Sequence, residues 1–364
     1  MKRNIHILTP GRICLFGDHQ DYLELPVIAC AISKGISLSS EENETGVFEI
    51  NLPDINSQRS IPIDATFDTL EPGDFFASAL RVVGRYGCQP NLGFNLTFKS
   101  TIPINAGTSS SSAMIVSWIH FLLTAFGGNQ EISASFIAQL AYEAEVLEHQ
   151  SPGGKMDQYT IALGHIIYID TSQHFSYTEL GIHLDGMILG VSGIPKKTIG
   201  LLGEVRTKAQ EAIAQVTGAV PSFRLKEATL DAIASYSNHI TASLRPYFYA
   251  AIKNHQITQA AKLEFEQKEW NLETIGRFMT EHHRVLKNEL KITVPRIDDM
   301  IAAALDAGAF GAKMVGSGGG GSIVALAPKH KKEAVIKAIL KAGAVEASEV
   351  SVAKGTHLIP NHYA

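Results

Sequence analysis

Four consecutive serines, Ser109 to Ser112, follow Asn105-Ala106-Gly107-Thr108 and lead through Ala113 into the apolar run Met114 to Phe126. Small residues let a backbone close around a ligand. A helix that opens directly after them turns unpaired N–H groups and a positive dipole end back into the loop. That arrangement cradles phosphate, and the serine hydroxyls add groups for phosphate oxygens or a magnesium ion. A glycine–serine run can also be a linker. Linkers have polar flanks, whereas this run has Ile102-Pro103-Ile104 before it and an apolar helix after it. No Gly-Lys-Ser/Thr follows at the spacing of the common phosphate loop, and the dinucleotide fingerprint is absent. The expectation is a nucleotide-phosphate site over 105–113.

Three further segments carry chemistry. Gly316-Ser317-Gly318-Gly319-Gly320-Gly321-Ser322 lies between the strand-like runs Ala312 to Val315 and Ile323 to Leu326. A glycine turn between buried strands lets something approach the backbone closely. Near the start, Asp18, His19 and Asp21 fall within four residues of one another in the polar stretch Pro10 to Tyr22. They suit hydroxyl recognition, since carboxylates accept and histidine can donate, and they equally suit a solvated surface turn. Asp157, in Lys155-Met156-Asp157-Gln158, reads locally as a helix N-cap. A cap position is compatible with proton acceptance, because a helix start favours the ionised form.

These groups need a scaffold, and the chain has room for one with two cores. Its 364 residues are 45% hydrophobic and 18% charged, with a net charge of -5. That charge and the lack of a dense cationic cluster argue against nucleic acid as a partner. No apolar run approaches the roughly 20 residues of a membrane helix, so no membrane role is expected. Cys14, Cys30 and Cys88 are odd in number and widely spaced, which fits reduced thiols in the cytoplasm. Nothing in the sequence sets an oligomeric state.

Strands are expected at Ile5–Leu8, Val27–Ile36, Val47–Leu52 and Leu92–Phe98, a helix at Asp74–Tyr86, and helices from Ser112 to Glu148. Gly127 ends the first of these and Ser133 caps the next. Beyond the strand Ile166–Asp170, a second region opens near Gly181. It has a strand at Met187–Val191, helices at Gly203–Val216, Thr229–His239, Arg245–Asn254, Ile257–Asn288 and Arg296–Ala307, and two strands around the glycine run. A helix at Lys331–Ala342 and a strand at Ala347–Ala353 close it. The order is that of an α+β protein with a split βαβ layer, in domains 1–180 and 181–364.

Together the segments resemble the GHMP kinase superfamily, whose three motifs appear in order. They are Gly11-Arg12 through Gly17-Asp18-His19-Gln20-Asp21-Tyr22, then Pro103 to Ala113, then Lys313 to Gly321. Within the superfamily the resemblance is closest to the galactokinases, with Met156-Asp157-Gln158 standing for their Met-Asp-Gln. Asp18 replaces their glutamate and Gln20 their threonine. The resemblance implies an S5-like N-terminal domain, a ferredoxin-like C-terminal domain and an active site in the cleft between them. It implies Asp157 and Arg12 as catalytic residues, and Gly107, Thr108, Ser109, Ser110, Ser111 and Ser112 on the phosphates of ATP. It also implies Ser110, Ser111 and Glu145 on Mg2+, with Glu148 as the fallback carboxylate. Asp18, His19, Asp21, Gly154, Gly318 and Gly319 would lie on the sugar.

The implied reaction is transfer of the γ-phosphate to a monosaccharide, most naturally at the anomeric hydroxyl of galactose or a related sugar. The stretch Val191 to Gly203 lacks the tyrosine that galactokinases set against the sugar, which leaves the sugar's identity open. Two rival readings are a catalytically silent sugar sensor and a mevalonate-branch kinase or decarboxylase.

Overall fold

The computed structural model describes residues 3–195 and 198–360. Lys196 and Lys197, within the stretch that lacks the tyrosine, lie outside the described residues.

The first layer is an eight-stranded sheet. It contains β1 (Asn4–Phe16), β2 (Val27–Asn43), β3 (Val47–Leu52), β4 (Ser57–Pro62), β5 (Gly93–Ser100), β6 (Ile166–Asp170), β7 (Ser176–Glu179) and β12 (His357–Leu358). The path runs β12-β1-β2-β5-β3-β4, with β6 and then β7 branching from the start of β2. Its helices are α1 (Phe75–Arg85), α2 (Ser110–Phe126), α3 (Ala134–Tyr142) and α4 (Met156–Leu163). Helix α2 is apolar on nearly every side, as a central helix must be. Its Trp118 and Phe121 stack at 5.5 Å. Gly127 closes α2 at φ 74°, and the Ser133 hydroxyl accepts from the Phe136 amide at the start of α3.

The second layer is a four-stranded antiparallel sheet of β8 (Met187–Val191), β9 (Gly311–Val315), β10 (Ser322–Leu326) and β11 (Glu346–Val350), in the order β11-β8-β10-β9. Taken in chain order, that is the 4-1-3-2 arrangement of a split βαβ layer. Helices α5 (Thr198–Ala219), α6 (Ile233–Ser237), α7 (Arg245–Phe265), α8 (Leu272–Asn288) and α9 (Pro295–Asp306) precede β9, and α10 (Lys332–Lys341) precedes β11. The chain then returns to the first sheet, where β12 pairs with β1. It therefore crosses between the layers twice.

Several expectations change. Motif one is not a turn up to Tyr22, because β1 runs through Arg12 to Phe16. It can do so because β2 pairs with it along nearly its whole length, with a bulge at Pro10/Gly11. A Cβ on Gly35 would stand 2.5 Å from the Thr9 carbonyl at this bulge. The helical stretches at 245–254 and 257–288 are instead one helix to Phe265 and a second from Leu272. The second is capped by Asn271, whose side chain accepts from the Thr274 amide. Residues 229–239 hold only the short α6.

From Thr9 to Phe16 strand β1 is buried on both faces. Cys14 belongs to the core under α2, while Ile13, Leu15 and Phe16 belong to the core shared with β8–β10 and α8. Because side chains alternate along a strand, Arg12 shares the Cys14 face and points toward α2 and α4.

Candidate active site

Arg12 is 4% exposed. Its Nε and Nη2 donate to Oδ1 and Oδ2 of Asp157, each at 2.7 Å, and its Nη1 donates to the Gly107 carbonyl at 2.6 Å. A planar guanidinium fixes a carboxylate with two parallel bonds as no other side chain does. Burial works to lower the Arg12 pKa, but the Asp157 charge and hydrogen bond outweigh it and hold the cation above its ordinary value. Asp157 is not the N-cap. Lys155 occupies that position, and Asp157 stands in the first turn of α4. There it also accepts from the Ser109 hydroxyl.

Ser109 is the N-cap residue of α2 in the left-handed conformation, with φ 58°, and its side chain does not cap the helix. Gly107 precedes it at φ 87°. The helix start is thus turned toward the Arg12–Asp157 pair without a side chain spent on it.

Glu145 sits in a π turn, Glu143–Leu147, that continues α3. Such bulges recur at functional sites because the extra residue re-aims its neighbours. The Glu145 carboxylate accepts from Ser111 at 3.0 Å and from Gln158 at 2.6 Å. Burial raises its pKa, and the Gln158, Ser112 and Ser111 bonds act against that. Glu148 is neither a fallback ligand nor a solvated face. It is tied to Arg81 at 2.6 Å and to Arg85, on the far side of the π turn, with its side chain 7% exposed.

The cleft is lined by Arg12, Asp18, His19, Asp21, Ser109, Ser111, Ser112, Glu145, Gly154 and Asp157, together with Gln158, Leu202, Gly316 and Ser317 among others. Most of the residues singled out in the sequence meet here, but their commitments differ. Asp18 Oδ2 pairs with the Lys313 ammonium at 2.6 Å, and its Oδ1 accepts from the Gly316 amide at 3.2 Å. Burial would raise its pKa, and Lys313 pulls it below the ordinary value. His19 is bonded to the Tyr22 hydroxyl at 2.8 Å and to the Ser317 carbonyl at 3.1 Å.

Asp21 accepts from the Tyr22 amide, at 3.1 Å. Burial and then the Asp157 charge push it up to about 6. A Cβ on Gly154 would lie 2.2 Å from Asp21 Oδ2, so a bare glycine is what allows that carboxylate its place.

The third glycine pair sits elsewhere. Gly318 and Gly319 do not line the cleft. The Gly319 amide donates to the Ile292 carbonyl at 2.8 Å, and a Cβ on Gly318 would strike the same oxygen. Gly316 and Ser317 line the cleft instead. Ser110 is the first residue of α2 and is absent from the lining, while Thr108 is fully buried. Sequence reading missed Lys313 as a partner of Asp18. The signal was a lysine within Ala312-Lys313-Met314-Val315, an otherwise buried strand. It also missed Gln158, the donor to Glu145.

Among the described residues no group of three or more His, Cys, Asp or Glu could hold a metal ion. Magnesium asks for less, since it keeps several waters and takes one or two protein oxygens. The adjoining Ser111 hydroxyl and Glu145 carboxylate fit that demand. Among the described residues no helix is long and apolar enough to cross a membrane.

Three family models match the chain in order. They are a galactokinase galactose-binding signature over residues 2–39, the GHMP kinases N terminal domain over 74–165 and the GHMP kinases C terminal domain over 268–345. A galactokinase from Glaesserella parasuis serovar 5 is 28% identical over 347 residues, covering 92% of this chain and 88% of its own. A mevalonate kinase from Thermococcus sibiricus is 27% identical over 344 residues, covering 92% of both. The crystal structure of Lactococcus lactis galactokinase complexed with galactose superposes with a TM-score of 0.86 at 20% identity, over 98% of this chain and 95% of its own.

Proposed function

The chain belongs to the GHMP kinase superfamily, and from that premise we propose that it is an ATP-dependent sugar kinase. It transfers the γ-phosphate to a hydroxyl of a monosaccharide, galactose or a close relative, most naturally at the anomeric carbon. The observation that carries this reading is the bidentate Arg12–Asp157 pair, held against the open start of α2.

Phosphoryl transfer asks mainly for positioning and charge compensation. Residues 107–112 and the dipole of α2 hold the phosphates. Asp157 takes the proton of the attacking hydroxyl, and Arg12 fixes the aspartate's orientation while offsetting charge that builds on the transferred group. Ser111 and Glu145 would hold magnesium, with Ser110 beside them at the head of α2. An ion bound there would supply neutralisation of phosphate charge.

Sugar recognition falls to Asp21, seated against Gly154. Asp18 and His19 act behind it, through Lys313, Tyr22 and Ser317. Among the described residues that line the cleft, Arg12 is the sole lysine or arginine, and it is already paired with Asp157. A neutral polyol suits that wall better than the anionic substrate of a mevalonate-branch enzyme. Three buried free thiols support a reducing compartment, the cytoplasm.

The test is ADP release over a panel of hexoses, pentoses, uronic acids and mevalonate. The proposal expects turnover with a neutral sugar. Turnover with mevalonate alone would replace the substrate class, and none with any acceptor would leave the sensor reading. Asp157→Asn is expected to lower kcat by about 10²- to 10⁴-fold with ATP binding retained. Turnover at the wild-type rate in that variant would remove Asp157 from the mechanism.

A further inference from the structure

Lys313 is a lysine with 0% exposure in the middle of β9. A buried ammonium is expensive unless fully paired, and this one is. Its three N–H groups reach Asp18 Oδ2 at 2.6 Å, the Cys14 carbonyl at 2.9 Å and the Met314 carbonyl at 2.8 Å. Two of these acceptors lie on the N-terminal side of the molecule, so the lysine fastens β9 to β1 and to the bend after it. From Asp18 the contacts run on. Its other oxygen takes the Gly316 amide. Gly316 stands against Gly107 so closely that a Cβ on Gly107 would lie 2.5 Å from the Val315 carbonyl. The Gly107 carbonyl in turn accepts from Arg12, which holds Asp157.

We infer that Lys313 is a positioning residue: its buried ion pair with Asp18 locks the 316–321 loop against the 105–113 loop and thereby sets Arg12 and Asp157 for phosphoryl transfer. The inference rests on the kinase reading for its kinetic consequence, but not for its mechanical one. A buried ion pair is a poor source of net stability, and replacing both partners by neutral groups of similar shape is often tolerated. The lock is therefore separable from the fold.

The variant that separates them is Asp18→Asn with Lys313→Met. It is expected to fold, to lower kcat at least tenfold and to change the KM for ATP by less than threefold. Hydrogen exchange of the Arg12 amide, which donates to the Thr108 carbonyl at 3.2 Å, should quicken while that of α2 stays as in wild type. A folded double variant with wild-type kcat and wild-type exchange at the Arg12 amide would overturn the inference. If the wild-type chain releases no ADP with any acceptor, the kinase reading falls, and the exchange measurement still decides whether the lock exists. Should the double variant not fold, Asp18→Asn with Lys313→Gln, which removes both charges and keeps amide donors for the Cys14 and Met314 carbonyls, is read in the same way. Equal proportional losses in kcat and in ATP affinity, with exchange quickened throughout the chain, would mark the pair as structural only and would equally overturn it.

Discussion

At the scale of single residues, Asp21 marks where binding chemistry is set against stability. Its carboxyl is carried from the ordinary 3.8 to about 6 by burial and by the neighbouring Asp157 charge. Holding that group ionised at neutral pH costs the fold about 3 kcal/mol. The native chain thus binds a proton that the unfolded chain releases. The Asp21 contribution to stability falls as pH rises from about 4 to 6 and is level above that. Asp21→Asn removes the charge and keeps an acceptor for the Tyr22 amide. It is expected to stabilise the protein by about 1–3 kcal/mol in urea titration at pH 7 while raising the KM for the sugar at least tenfold. An Asp21→Asn protein no more stable than wild type would mean that the carboxyl is better solvated in its cleft than its burial implies.

Among the elements, the two glycine loops meet backbone to backbone. Gly107 is at φ 87°, and its missing side chain leaves room for the Val315 carbonyl. Gly107→Ala combines a left-handed backbone with a 2.5 Å contact. It is expected to cost about 2 kcal/mol or more in a denaturant melt and to raise the KM for ATP at least tenfold, because the loop must shift to relieve the contact. Both loops were legible in the sequence, since composition and apolar flanks mark a tight turn between buried elements. Their mutual contact was not legible, because it joins segments about two hundred residues apart. Arg12 was legible as a motif residue but not as part of a strand. Pro10 and Gly11 directly before it read as a turn, although the apolar Ile13 to Phe16 follow, and the long pairing with β2 keeps the chain extended across them. The π turn that aims Glu145 at Ser111 and Glu148 at Arg81 leaves no mark in a helical period, because one inserted residue resembles ordinary variation. The α7–α8 break at Glu266–Asn271 hides in the same way, inside a polar stretch with no proline or glycine to announce it.

Across the whole molecule, proton uptake by buried histidines in both layers opposes proton uptake by Asp21. His120 on α2 is bonded to Thr356, next to β12, and burial lowers its pKa to about 4. His282 and His283 on α8 are lowered to about 3 and about 4, in each case chiefly by burial. A base with a depressed native pKa is protonated more readily when the chain unfolds. Stability is therefore whole above the unfolded value near 6.5 and drains as pH falls toward the native value. Each histidine accounts for about 3 kcal/mol or more over that span. Asp21 returns about 3 kcal/mol in the same direction of titration, so three histidines outweigh one carboxyl and the molecule should lose stability steadily from pH 6.5 to 4. His120→Asn keeps a hydrogen-bond partner for Thr356 and cannot take up the proton. Urea titrations at pH 7 and pH 4.5 are expected to give this variant a smaller acid loss than wild type by about 2–3 kcal/mol, with little change at pH 7. An identical acid loss in variant and wild type would mean that the α2–β12 contact opens before His120 titrates, and that the returning strand, rather than the core, yields first.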